Sequence, residues 1–255
     1  AGGSRTLPGP PGVPFPAPGA NRRDGKGFHA NGKRDALNRG LGNGRGAHPM
    51  HGFLGAAVWE VVEAKADDAA AWVTSRLDFA RQPDWMAQFP FAHSIVMTHR
   101  LRDGVLDITV ALHNESAEPM PVAIGFHPYF RLTDTARDAW TIGLGARTEW
   151  MLAEDKIPTG ETRPIERPFP DPRAALLRDH DLDHVFGDLI RDPSGRAIMS
   201  VARPAQALAG AFGPNSRPAA VCPPAGPASP TRPPRALPSR PRPPPEFMSF
   251  RSSRH

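Results

Sequence analysis

Gly125-Phe126-His127-Pro128-Tyr129-Phe130 places an imidazole between an aromatic ring and a proline, directly after the apolar run Met120-Pro121-Val122-Ala123-Ile124. Proline biases the preceding residue towards extended backbone and has no N–H to give to a ladder, so His127 is expected at a strand end rather than inside a helix. Histidine's ordinary pKa of about 6.5 lets it take or give a proton near neutral pH. Tyr129 is the only tyrosine of the chain, and Phe126 and Phe130 are placed to wall off a pocket. Taken alone, the pattern favours a partly buried structural histidine bonded to backbone.

Three further segments set polar side chains beside glycine or apolar residues: Asn21-Arg22, His51-Gly52-Phe53 and Asp183-His184-Val185-Phe186. A guanidinium offers a fork of donors to hydroxyls. The Asp183 carboxylate can accept from vicinal hydroxyls, and two histidines can serve a ring oxygen. Four such segments on the loops and strand ends of a β-rich chain describe the lining of a polar cleft. Surface charge is the competing reading for Arg22 and Asp183.

Other chemistries find little support. Gly42-Asn43-Gly44-Arg45-Gly46 lacks the spacing, the preceding strand and the following helix of a phosphate loop. His48 and His51 have no matching Cys or His pair and no HExxH, so no metal is expected. No GxSxG elbow is present.

The elements that must carry these residues are strands. In Val105 to Asn114, Leu106, Ile108, Val110 and Leu112 alternate with Asp107, Thr109, Ala111 and His113, which predicts one buried and one wet face. His93 to Leu101 pairs with it across the turn Arg102-Asp103-Gly104. Trp59 to Ala64 and Ala71 to Phe79 form a second pair around Asp67-Asp68, and Trp140 to Ala146 and Ala197 to Ala202 add shorter strands. Asn31-Gly32 is a hairpin signal. The one helical stretch is Gln82 to Ala87. Many short strands divided by Gly, Pro and Asp turns predict an all-β, antiparallel sandwich.

Charge is unevenly spread over the 255 residues. From Val201 onwards there are eight arginines (Arg203, Arg217, Arg232, Arg235, Arg240, Arg242, Arg251 and Arg254) against one acid, Glu246, so the net +5 belongs to this tail. The same stretch holds fourteen prolines and is expected to be disordered. We therefore expect a β-sandwich domain over 1–202 and a Pro/Arg-rich tail over 203–255. The tail's charge implies general attraction to acidic surfaces, with no specific nucleic-acid partner. A single cysteine, Cys222, excludes an intrachain disulfide and suits a reducing, cytoplasmic compartment. No apolar run approaches the roughly 20 residues of a membrane helix. The chain begins at Ala1 and not Met, as a fragment or processed product would.

Together, the four segments resemble the aldose 1-epimerase (galactose mutarotase) family. The resemblance runs from about Val58 to Val201 and includes Trp85-Met86-Ala87-Gln88-Phe89-Pro90-Phe91, Ala123 to Phe130, Ile157-Pro158-Thr159-Gly160-Glu161 and Leu182 to Phe186. Pro14-Phe15 through Phe53 extends it, with Ala20-Asn21-Arg22 and His51-Gly52. The family's fold is a large twisted antiparallel β-sandwich, and its reaction interconverts the α and β anomers of free hexoses without metal or organic cofactor. By position, His127 corresponds to the general acid at the ring oxygen, His51 to the second histidine there, and Asn21, Arg22 and Asp183 to substrate-binding residues. The family's base is a glutamate on a late strand. Here Glu246, in Pro245-Glu246-Phe247-Met248, is the only acid after Asp192 and follows three prolines. The resemblance thus implies a divergent or frame-shifted C-terminus and an incomplete N-terminal edge, whose exposed strands would favour a monomer or weak homodimer. Two alternatives stay open: a carbohydrate-binding sandwich without catalysis, and a hexose-phosphate epimerase with Arg45 and Arg131 as phosphate-binding cations.

Overall fold

A computed structural model of the chain describes residues 15–23, 27–37, 44–45, 48–129, 136–216 and 219–221. The chain is all-β as expected, and every pair of strands is antiparallel. It divides after Pro128 into two units.

In the first unit, β1 (Gly27–Ala30) and β2 (Lys33–Ala36) form a hairpin on Asn31-Gly32. Asn31 and Gly32 both have positive φ, 50° and 75°, which matches the twist of the strands they join. β3 (Gly44–Arg45) and β4 (His48–Pro49) are a short pair. The main sheet runs β5 (Glu60–Ala66), β6 (Ala71–Asp78), β7 (His93–Arg102) and β8 (Val105–Asn114), each strand beside the next in sequence. Asp67 shapes the β5–β6 turn, its Oδ1 accepting the backbone N–H of Ala69 and Ala70. β7 and β8 pair without a slip from His93↔Asn114 to Arg102↔Val105. The one-turn helix α1 (Pro83–Met86) starts with proline at the position that needs no N–H.

This unit's core gathers at one end of the sheet, where Leu77 and Ile95 meet Phe28, Phe79, Phe89, Phe91 and Met120. The alternation of β8 is real, but its apolar face is covered only in part. Val110 and Leu112 pack on the core, whereas Leu106 is 50 % exposed and its cross-strand partner Leu101 is 53 % exposed. Period-2 spacing fixes which face a residue is on; it does not fix how far the covering layer extends.

The second unit is a sandwich of two four-stranded sheets. Its strands are β9 (Thr141–Leu144), β10 (Ala146–Leu152), β11 (Pro158–Pro164), β12 (Ala175–Leu176), β13 (His184–Leu189), β14 (Ala197–Arg203), β15 (Gln206–Phe212) and β16 (Ala219–Val221). One sheet has the order β11-β10-β13-β16 and the other β12-β9-β14-β15. Ile142 and Leu144 from one, Phe186 and Leu189 from the other, and Ile165 and Phe169 from a connection share a single core. Gly145 lets the chain step from β9 to β10, because a Cβ there would lie 2.2 Å from the carbonyl oxygen of Ile198.

The expected boundary at 202 falls inside β14, and strand pairing continues to Val221. Gln206 to Phe212 contains no proline, so all its backbone groups are free to pair with β14. Residues 222–255, including Cys222, Glu246 and most of the tail's prolines and arginines, lie outside the described residues.

Candidate functional site

In the first unit, three segments are joined by backbone hydrogen bonds. The stretch 15–23 runs beside 49–53, with bridges Ala17↔Gly52 and Arg22↔Met50. Phe53 N donates to Ala17 O at 2.9 Å, His51 N to Asn21 O at 3.0 Å and Arg23 N to Pro49 O at 3.0 Å. The stretch 123–125 closes on the other side, with Ala20 N donating to Ala123 O at 3.0 Å and Gly125 N to Pro16 O at 3.1 Å.

The backbone is unusual at these joints. Asn21 and His51 both occupy the left-handed region, at φ 60° and 64°. Asparagine and histidine are among the non-glycine residues found there most often, yet the conformation still costs on the order of 1–3 kcal/mol and persists only where the surroundings enforce it. Gly52 follows at φ 66°, and a Cβ on it would lie 2.1 Å from Ala17 O. The strained turn aims the half-buried His51 ring at half-buried His127: the centroids lie 5.4 Å apart with the planes at 85°.

Around this pair, Phe126 packs on Phe15 at 5.3 Å and is 40 % exposed. Tyr129 is exposed, and Phe130, the other expected wall, is outside the described residues. Arg22 is half-buried. Its neighbour Arg23 takes the inner place, with its guanidinium 5.2 Å over the Phe28 ring, and burial lowers its pKa. The sequence Arg22-Arg23 alone did not distinguish the two roles.

Asp183 belongs to the second unit. Its Oδ2 is 3.0 Å from Lys156 Nζ, so the carboxylate that the sequence marks for hydroxyls already holds a cation. Its backbone N–H donates to Nδ1 of His184 at 3.2 Å. His184 Nε2 lies 3.5 Å from Oε1 of Glu149, and Glu149 Oε2 accepts from Arg163 Nε at 2.5 Å. Burial is the leading influence on His184 and lowers its pKa, with Glu149 opposing. Sequence reading missed Lys156, Glu149 and Arg163; the register Glu149↔Arg163 across β10 and β11 is what joins the last two.

The structure therefore brings Asn21, Arg22, His51 and His127 together in the first unit and gives Asp183 a charged setting in the second. The hexose-phosphate alternative rested on Arg45 and Arg131. Arg45 contributes backbone to β3, and Arg131 lies outside the described residues.

A family model described as aldose 1-epimerase matches residues 11–195. Among solved structures, the chain is similar to a galactose mutarotase-like protein from Clostridium acetobutylicum, at 20 % identity and TM-score 0.64 over 74 % of this chain and 57 % of that one. It is also similar to the galactose 1-epimerase of Lactobacillus acidophilus NCFM, at 17 % identity and TM-score 0.58 over 76 % and 61 %. A third similarity is to a galactose mutarotase-like protein from Lactobacillus casei, at 19 % identity and TM-score 0.52 over 77 % and 62 %. At these identities the likeness establishes the fold, which is galactose mutarotase-like. The chain spans less than two thirds of the length of each of these three structures.

Proposed function

This chain belongs to the aldose 1-epimerase family, and on that premise we propose that it interconverts the α and β anomers of a free hexose by acid–base ring opening. His127 is the general acid. It delivers a proton to the ring oxygen as the bond from that oxygen to the anomeric carbon breaks, while the anomeric hydroxyl gives its proton to a base, a glutamate in the family, and becomes the carbonyl; the same base returns a proton on reclosure. Rotation about the bond to the next carbon presents the other carbonyl face. The ring hydroxyl then adds, its proton returns to His127, and the carbonyl oxygen is reprotonated. His51 steadies His127 and shares the ring oxygen. Asn21 and Arg22 bind hydroxyls, as does Asp183. No cofactor takes part in the proposed chemistry.

The observation that supports this most is the edge-to-face pair of His51 and His127, with His51 held in a backbone conformation that disfavours it. A positioned acid of this kind contributes about 10²–10⁴-fold. The base that receives the anomeric proton in the family is a glutamate, and Glu246, the only acid after Asp192 in this sequence, follows three prolines. That sequence feature favours one second reading, a carbohydrate-binding protein with little or no turnover. Calorimetry and polarimetry on one preparation separate the two. Heat of galactose binding with accelerated change of rotation supports the epimerase. Binding with rotation at the buffer rate supports the binder, and neither signal contradicts both.

A further inference from the structure

Asp183 is the last residue before β13, and β13 is paired on both sides, through Val185↔Trp150 and Val185↔Ala220. Val185 and Phe186 are therefore held by two ladders, and His184 by its pairing with Val221. The Asp183 N–H falls outside them and goes to the His184 ring instead, at 3.2 Å. An N–H can only donate, so Nδ1 must be the accepting nitrogen and the proton of the neutral ring sits on Nε2.

Burial favours the neutral ring, against the pull of Glu149 and Asp183. Phe186 stacks on it with the planes 7° apart, and Phe169 meets it edge to face with the centroids 5.2 Å apart; both phenylalanines are fully buried. Glu149 Oε1 lies 3.5 Å from Nε2 and receives that side of the ring. Glu149 is itself 5 % exposed and its second oxygen is held by Arg163 from the neighbouring strand. The other charged or titratable groups facing His184 are Asp183 and His180. The Arg163 side chain is 41 % exposed, so only the Glu149 end of this pair is buried. Without Arg163 the buried carboxylate would lose its partner, so the pair holds Glu149 in place beside the ring.

We propose that His184, fixed by Glu149 and Arg163, is a positioning residue that sets the Asp183 carboxylate for hexose hydroxyls. This rests on Asp183 being a sugar-binding residue. The ring holds the Asp183 peptide from one side while the ladders hold β13 from the other, so the Cα–Cβ bond that carries the carboxylate starts from a fixed direction.

The test uses the full chain. Nitrogen-15 spectra of the histidine rings in the wild type should show His184 protonated on Nε2, and a proton on Nδ1 would overturn the proposal without any variant being made. His184→Phe keeps the ring packing and removes both nitrogens. It should raise the KM for galactose about tenfold while kcat changes by less than about threefold, in line with a lost part-buried hydrogen bond. His184→Asn restores an acceptor near the Nδ1 position and should bring KM back to within about threefold of the wild type. Unchanged KM in His184→Phe, or no rescue by His184→Asn, would overturn the proposal. If the wild type neither binds nor equilibrates hexoses, the enzymatic reading fails separately. Proton exchange at the Asp183 amide then decides the positioning claim: about tenfold faster in His184→Phe supports it, and no change refutes it.

Discussion

The His51 and His127 rings meet edge to face, with centroids 5.4 Å apart and planes at 85°. The contact depends on backbone: His51 sits at φ 64° and its N–H is tied to Asn21 O, so the ring's direction is set before any ligand arrives. Preorganisation of this kind is what an acid needs in order to act at one atom.

The two rings should therefore behave as a unit. His127→Ala should lower kcat by about 10²–10⁴-fold, and His51→Ala by a smaller factor. The double variant should be slower than His127→Ala by a smaller factor than His51→Ala is slower than the wild type, since part of what His51 does is to steady its neighbour. Steady-state polarimetry of the four proteins measures this, and additive losses would show that the rings act independently.

Backbone crowding should dominate the cost of two small substitutions. A Cβ at Gly52 would lie 2.1 Å from Ala17 O and one at Gly145 would lie 2.2 Å from Ile198 O. Each Gly→Ala change should destabilise by about 2 kcal/mol or more. Gly104, with nothing near its missing Cβ but φ at 73°, should cost only about 1 kcal/mol as alanine. Urea unfolding of the three variants tests the order.

The uncovered part of the β7–β8 face gives a sharp contrast. Ile95 is fully buried, whereas Leu101 and Leu106 are about half exposed. Ile95→Ala should cost about 2–5 kcal/mol. Leu101→Thr and Leu106→Thr should each stay within about 0.5 kcal/mol. Large losses at the two leucines would mean that a further layer covers them in solution.

Acid should weaken the first unit through His93. Burial is the main influence on this ring, stacked 4.2 Å from Phe79, and lowers its pKa from 6.5. The unfolded chain then binds a proton more readily than the folded one, so stability is full above about pH 6.5 and falls as pH drops from there towards the folded value. Glu63, Asp67 and Asp192 also have lowered pKa values, but their losses begin only near the carboxylate range, below about pH 4.5. Urea midpoints at pH 7.5 and 5.5 should differ in the wild type, and the difference should shrink in His93→Gln. An unchanged difference would place the acid sensitivity elsewhere.

Lys156 competes with ligand for Asp183. The pair is partly exposed on both sides, so it is worth less than about 1 kcal/mol to the fold. Lys156→Met should leave the melting temperature nearly unchanged and lower the KM for galactose by about threefold. A raised KM would instead make Lys156 part of the sugar's binding.

Much of this fold was legible from residue types. The β7–β8 hairpin follows from alternation and Asp103-Gly104, and the β1–β2 hairpin from Asn31-Gly32. Other strands were hidden for physical reasons. β11 begins and ends in proline, which reads as loop; it is the edge strand of its sheet, where proline is tolerated. β13 is interrupted by Gly187, which makes room for the Trp150 indole of β10 and would otherwise read as a breaker. β15 is rich in alanine, a poor strand former that pairing with β14 overrides. At the candidate site, residue types pointed to His127, His51, Arg22 and Asp183. The left-handed turn at His51 and the contacts of Asp183 with Lys156 arise from pairings between distant segments, which no local pattern carries.

The central claim is that His127 delivers a proton to a hexose ring oxygen. Its most direct test is the optical rotation of freshly dissolved α-galactose followed at neutral pH with wild type, with His127→Ala and with buffer alone. The account predicts that wild type equilibrates the sugar faster than buffer and that His127→Ala loses at least about 99 % of that excess rate. An excess rate that survives in His127→Ala would contradict it.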